Sequence, residues 1–284
     1  MKFSIQREIL LQPISQVVGV VERRQTLPVL ANFLISVQGN RLSVTGTDME
    51  VELITSVEAD VQQEGEITVP ARKLVDIVRM LPEGVKITAV LEGDKLTISS
   101  GRGRYTLATL PATEFPATDQ VETLEVVKIQ EGTLKNLLDK TSFAMANQDV
   151  RYYLNGLLFD FHDKQLSTVA TDGHRLAVCD LDADLGLSGD RQLIVPRKGV
   201  LELSRMLSDG DKPVELALGK NHVRLVKGNT IFTSKLIDGR FPEYGAVIPK
   251  GTDRHIKIDK ASFTLALQRA SSLSNEKYRG VRLE

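Results

Sequence analysis

The chain has 284 residues, 42% hydrophobic and 26% charged, with a net charge of −1. That length exceeds one ordinary core, so two or more domains are expected. The near-zero charge excludes a tight, phosphate-neutralising grip on nucleic acid. The lack of any apolar run approaching ~18 residues excludes a bilayer-spanning helix, and the single cysteine, Cys179, excludes an internal disulfide or a Cys-ligated zinc site.

Met1-Lys2-Phe3-Ser4 starts at once in strand-like alternation, so no signal peptide is expected, and one cysteine suits a reducing cytosol. The first strand leads into an amphipathic helix. Alternating strands follow, with Phe33, Ile35 and Val37 on one face and Leu42 and Val44 after a Gln38-Gly39-Asn40 turn. A strand ending in Val69-Pro70 leads into a second helix with the apolar stripe Leu74, Val75, Val78 and Leu81. Arg72, Lys73 and Arg79 lie off that stripe. More alternating strands complete the segment, an α+β unit of two helices and enough strands for sheets.

The pattern then repeats. "LSVTGTD" (42–48) returns as "LSTVATD" (166–172), and "VPARKLVDIVRMLPEG" (69–84) as "VPRKGVLELSRMLSDG" (195–210). "GRGRYT" (101–106) answers "GNTIFT" (228–233). The second copy's first helix presents Leu134, Leu137, Leu138 and Thr141, and its second presents Val200, Leu201 and Leu207, with Arg197, Lys198 and Arg205 off the stripe. A third copy begins: "IKIDKASFTLAL" (256–267) matches "FSIQREILLQPI" (3–14) and "VKIQEGTLKNLL" (127–138), with Phe263, Ala266, Leu267 and Ala270 on one helical face. The expected organisation is α+β, tandem copies of one domain with two helices packed on antiparallel sheets: 1–125, 126–250, and the start of a third at 251–284. Three whole copies would need roughly 370 residues, so a fragment is expected, with residues 254–284 poorly supported.

Chemical motifs are sparse. No phosphate loop or H-E-x-x-H occurs, and His162, His174, His222 and His255 are scattered, so neither metal nor cofactor is expected. "GRGR" (101–104) reads as a bulge or edge in a strand, and Cys179 as a small buried core residue. "TDGHRLA" (171–177) admits a catalytic reading, with Asp172 as orienter, His174 as base and Arg175 as anion clamp. The repeat opposes it, because Asp48 stands in Asp172's place with no histidine after it. A shared Thr-Asp suits a turn that bonds its own backbone. Matching "MEVEL" to "HRLAV" by apolar pattern adds one residue to the second copy. This predicts a bulge at Gly173 that re-aims Gly173 through Leu176 into a surface groove.

"TLPVLANFL" (26–34), "NQDVRYYLNG" (147–156), "TVATDGHRLAV" (168–178), "VPRKGV" (195–200), "FTSKLIDGRFPEY" (232–244) and "SNEKYRGVRL" (274–283) resemble, in order along the whole chain, the bacterial DNA polymerase III beta subunit family, the sliding clamps. The resemblance implies a non-catalytic processivity factor for a DNA polymerase, cytoplasmic and nucleoid-associated. Two three-domain subunits would form a head-to-tail homodimer ring around duplex DNA, helices inward. Tethering by topology explains a charge-balanced DNA protein, since strong phosphate contacts would stop sliding. DNA polymerases, the clamp loader and repair proteins would dock short linear motifs in a peptide-binding cleft.

Carried onto this sequence, the resemblance implies DNA contacts at Arg24, Arg72, Gln148, Tyr152 and Tyr153, at least one tyrosine being partly buried. It implies a cleft at Leu154, Thr171, Gly173, His174, Arg175, Leu176, Pro242 and Val247, and a dimer face at Arg102, Arg104, Tyr105 and Leu107 against Ser272 and Leu273. Gly245-Ala246 replaces the family's basic pair after Tyr244, which weakens the expected rim contact to a peptide. Two other readings stay open: a tandem-repeat interaction scaffold with no DNA role, and a hydrolase or transferase centred on Asp172, His174 and Arg175.

Overall fold

The computed structural model describes residues 1–22, 27–116, 122–162, 164–249, 251, 255–274 and 280–283. The first repeat runs β1 (Lys2–Gln6), α1 (Arg7–Val17), β2 (Asn32–Gln38), β3 (Arg41–Thr47), β4 (Val51–Glu58), β5 (Asp60–Gln63), β6 (Gly65–Pro70), α2 (Ala71–Met80), β7 (Lys86–Glu92), β8 (Lys95–Ser100) and β9 (Gly103–Ala108). The second runs β10 (Thr123–Gln130), α3 (Glu131–Thr141), β11 (Gly156–His162), β12 (Gln165–Thr171), β13 (Leu176–Asp182), β14 (Arg191–Pro196), α4 (Arg197–Met206), β15 (Pro213–Gly219), β16 (His222–Lys227) and β17 (Thr230–Lys235). Apart from β5, the order is the same. In both repeats a Val-Pro strand end feeds the second helix. Pro70 and Pro196 each hold φ at −56° and lack an N–H, which suits a chain leaving a sheet for a helix.

The strands pair antiparallel in three sheets, β5-β1-β7-β8-β9, β10-β15-β16-β17-β4-β3-β2-β6 and β13-β12-β11-β14. The eight-stranded sheet crosses from one repeat to the other. There β17 pairs with β4, from Thr230 opposite Thr55 to Ser234 opposite Val51. One continuous core runs beneath both repeats.

The expected stripes are largely borne out. Phe33, Ile35, Val37, Leu42 and Val44 are buried, as are Leu74, Val75, Val78 and Leu81, and Leu134, Leu137, Leu138 and Thr141. Leu201 is a correction. Helix α4 buries Gly199, Val200, Glu202, Leu203 and Met206, and this spacing leaves Leu201 37% exposed. The helix is turned because it packs against the first repeat as well as its own. Cys179 is another: it sits half-buried on β13 at the margin of the core. "GRGR" forms a two-residue hairpin, Gly101-Arg102, between Ser100 and Gly103, and β9 behind it is a sheet edge among the described strands.

Residues Met1–Phe241 form one compact unit and Pro242–Glu284 a second. The second unit contains α5 (Lys260–Ser271), capped by the Asp259 carboxylate, which accepts from the Ser262 amide at 2.8 Å. None of α5's side chains is buried, and Phe263 and Leu267 are its most covered positions. Among the described residues of this unit no second α-helix or strand stands with α5 to close a core.

Candidate functional site

The Thr-Asp repeat builds the same turn twice. In the second copy Thr171 Oγ1 donates to the Arg175 carbonyl at 2.6 Å and accepts from the Gly173 amide at 3.0 Å. Asp172 Oδ1 accepts from the His174 and Arg175 amides at 2.9 and 3.0 Å. In the first copy Thr47 bonds the Val51 carbonyl and the Met49 amide, and Asp48 Oδ1 accepts from the Glu50 and Val51 amides at 2.9 and 2.7 Å. The amide of His174, followed by burial's opposing push and then the Arg175 contacts, leaves the Asp172 carboxyl below its ordinary range. Its Oδ2 takes Arg175 Nε at 3.0 Å. Both oxygens thus serve the turn and Arg175, so Asp172 does not act as orienter of an imidazole base.

The expected bulge at Gly173 is absent. Thr171 pairs with Leu176 and Thr47 with Glu52, so each hairpin has a four-residue loop. The two loops match residue for residue: Gly173 stands where Met49 stands, with φ of 86° and 78° respectively. Arg175 therefore replaces Val51, and Leu176 replaces Glu52. The residues gained by the second copy lie between β13 and β14, at 183–190, in place of β5.

Gly173 is needed for a different reason. A Cβ there would lie 2.9 Å from both terminal nitrogens of Arg151. Arg151 is clamped by Asp149 through Nε at 3.0 Å and Nη2 at 2.9 Å, and Nη2 also reaches the Asp172 carbonyl at 3.2 Å. Arg151 holds the Asp149 carboxyl down to about 2. On the turn's other side Arg175 Nη2 donates to the Phe143 carbonyl at 2.7 Å, and its guanidinium lies 5.5 Å from the exposed Phe143 ring. Asp149, Arg151 and Phe143 went unnamed among the candidate residues, although Asp149-Val150-Arg151 carries the short spacing that suits a self-bonding turn.

The remaining cleft candidates divide. His174 is exposed, Thr171 and Leu176 are half-buried, and Leu154 is only 2% exposed, beneath the surface rather than on it. Pro242 and Val247 are exposed in the second unit. Of the DNA candidates, Arg24 lies outside the described residues. Arg72 is exposed and donates to the Val21 carbonyl at 3.0 Å. Gln148 is exposed at a left-handed φ of 57°. Tyr152 is exposed and Tyr153 half-buried, their rings edge to face at 5.7 Å. Lys198 does not add to a free cationic surface, because it crosses to the first repeat and bonds the Val20 carbonyl at 2.8 Å, Glu22 at 3.0 Å and Asp48. On the β9 edge Arg102, Arg104 and Tyr105 are exposed. Leu107 is buried on the same strand face as Tyr105, which stays exposed nearer the hairpin. Ser272 and Leu273 are exposed in the second unit.

The family model for the DNA polymerase III beta subunit, N-terminal domain, matches residues 1–119, and that for the central domain matches residues 128–243. The chain belongs to the DNA polymerase III beta subunit family. It is 52% identical over 285 residues to the beta sliding clamp of Pseudomonas aeruginosa, covering all of this chain and 78% of that relative. It is 49% identical over 284 residues to the beta sliding clamp of Escherichia coli K12, covering 77% of that protein. The crystal structure of the P. aeruginosa clamp bound to griselimycin matches with a TM-score of 0.93 at 52% identity, over 98% of this chain and 76% of that one. Caulobacter crescentus pol III beta matches with 0.88 at 38% identity, over 96% and 76%. The function is that of a DNA sliding clamp, a non-catalytic processivity factor, and the hydrolase reading falls with the turn's geometry.

Proposed function

We propose that clamp-type domains at 1–125, 126–250 and from 251 onward join head to tail, two subunits closing a ring around duplex DNA. The observation that carries this is the β17–β4 pairing, in which the last strand of one repeat docks on the fourth strand of its neighbour. Strand β9 is the first repeat's counterpart of β17 and has an open edge among the described strands. Arg102, Arg104 and Tyr105 line it, ready for the equivalent strand of a third-type domain near Ser272 and Leu273. Arg24, Arg72, Gln148, Tyr152 and Tyr153 would contact the enclosed duplex lightly.

The 172–175 turn, with Thr171 and Leu176, is one wall of a groove for short linear motifs of DNA polymerases, the clamp loader and repair proteins. Leu154 supports that wall from beneath. Exposed guanidiniums beside half-buried apolar groups suit an apolar peptide with polar anchors. The protein acts in the bacterial cytoplasm, at the nucleoid. No observation favours a scaffold without a DNA role.

The test is topological. Protein with a whole third domain, loaded on nicked circular plasmid, should slide off when the plasmid is linearised, whereas retention on linear DNA would refute encirclement.

A further inference from the structure

Between the repeats lies a partly open cleft of about 340 Å³, bounded by the last turn of α1, by Leu53 and by Glu202, Arg205 and Met206 of α4. Val18, Leu53 and Met206 make an apolar wall. Beside Met206, one turn earlier on the same face of α4, lies a buried charge. The Glu202 side chain is only 6% exposed, and its carboxylate lies so close to Gly19 that a Cβ there would run into it.

Gly19 follows directly on the end of α1 and its cap, Val18. The end of a helix carries partial negative charge, which the Val18, Gly19 and Val20 amides reduce here by donating to the Ile14, Gln16 and Val17 carbonyls. A carboxylate at that place is repelled rather than held, and burial adds its own cost. One cation of its own helix answers it: Arg205 forms an ion pair with Glu202, but the Arg205 side chain is 66% exposed. Lys198, the other cation nearby, is committed to Asp48, Glu22 and the Val20 carbonyl, and Asp48 brings a second carboxylate into the neighbourhood. Burial pushes the Glu202 carboxyl up against the pull of Arg205 and Lys198.

We infer that this cleft is a binding site for a small organic cation, a primary ammonium on a short aliphatic chain. The ammonium takes the Glu202 carboxylate, and the chain lies on Val18, Leu53 and Met206. Arg205 gives up its pair and turns into water, so one cation exchanges for another and no covalent bond changes. The volume falls within the range of small-molecule sites, roughly 300–1,000 Å³.

The experiment is a titration of the 284-residue chain with n-butylammonium, followed through the methyl signals of Val18, Leu53 and Met206 and the Gly19 amide. Butyrate, of equal length and opposite charge, is the control. Saturable shifts at those groups are expected with the amine and not with butyrate. Glu202→Gln should weaken binding about tenfold, the loss of a charge-assisted hydrogen bond. Arg205→Ala, made at an exposed side chain, should tighten binding by removing the competitor. Shifts scattered over surface carboxylates, indifference to Glu202→Gln, or no tightening in Arg205→Ala would each overturn the assignment. If Glu202→Gln fails to fold, the Arg205→Ala arm decides alone.

Discussion

Lys198 of α4 is ion-paired with Asp48, the residue that organises the first repeat's Thr-Asp turn, so the second repeat grips the first through its turn. Asp48 is buried to 6% side-chain exposure and Lys198 to 24%, which lifts the pair above an ordinary surface contact.

Lys198→Met should therefore destabilise the protein by about 2 kcal/mol, because it leaves the Asp48 carboxylate buried without its cation. Urea denaturation of the single and double variants with Asp48→Asn checks this. The double variant should lose clearly less than the sum of the two singles. Additive losses would mean that the two residues act separately.

Gly173→Ala should cost about 1–2 kcal/mol, combining the left-handed backbone penalty with displacement of Arg151. In an Arg151→Ala background the cost should shrink to the backbone part. Met49, at the same place in the first repeat, already tolerates φ of 78° as a non-glycine residue. A double-mutant cycle reads the difference, and an unchanged cost would clear Arg151 of any part in it.

Acid should release the same strut. The Asp149 carboxyl is held at about 2, below its unfolded value of about 3.9. Its contribution is thus complete above the unfolded value and is lost as pH falls through about 2. A carboxyl-carbon NMR titration should find the midpoint of Asp149 near 2, with the Gly173 and His174 amides moving in step. A midpoint near 4 would show that the Arg151 clamp does not persist in solution.

Glu202 carries the opposite sign. Its native carboxyl is raised, so ionisation disfavours the folded state, and this penalty appears as pH rises through the native value. Glu202→Gln should raise the melting temperature at neutral pH, and the gain should fade as pH falls below the unfolded value of about 4.3, where the carboxyl becomes protonated in both states. A variant less stable than the parent at neutral pH would count against this reading.

Leu201→Glu should change stability by no more than about 0.5 kcal/mol, whereas Val75→Glu, at the matching place in α2, should abolish folding or cost more than about 3 kcal/mol. Thermal melts of the two variants separate these outcomes directly.

That contrast shows what could be read from the sequence. The paired motifs revealed the repeat, and the stripe of α2 and the strand faces of Phe33 and Leu42 followed from periodicity alone. Leu201 could not be placed this way, because the face buried by α4 is set partly by the neighbouring repeat, a contact with no local signature. The Gly173 bulge failed for a related reason. Apolar matching aligned Leu53 with Val178, but the ladder from Thr47 and Thr171 gives the core position to Ala177, and a slip of one residue exchanges the faces of a strand. Arg151 and Glu202 act through long-range contacts, with Gly173 and Gly19 respectively, and at each glycine the missing side chain is the only local trace.

The strand joint between β17 and β4 has a mechanical meaning. Two domains linked only by a tether would swing independently, but here the peptide ladder runs without interruption from β10 to β6. A force that parts the repeats must strain the row of backbone bonds between β17 and β4 together, so the joint resists shear along its whole length at once.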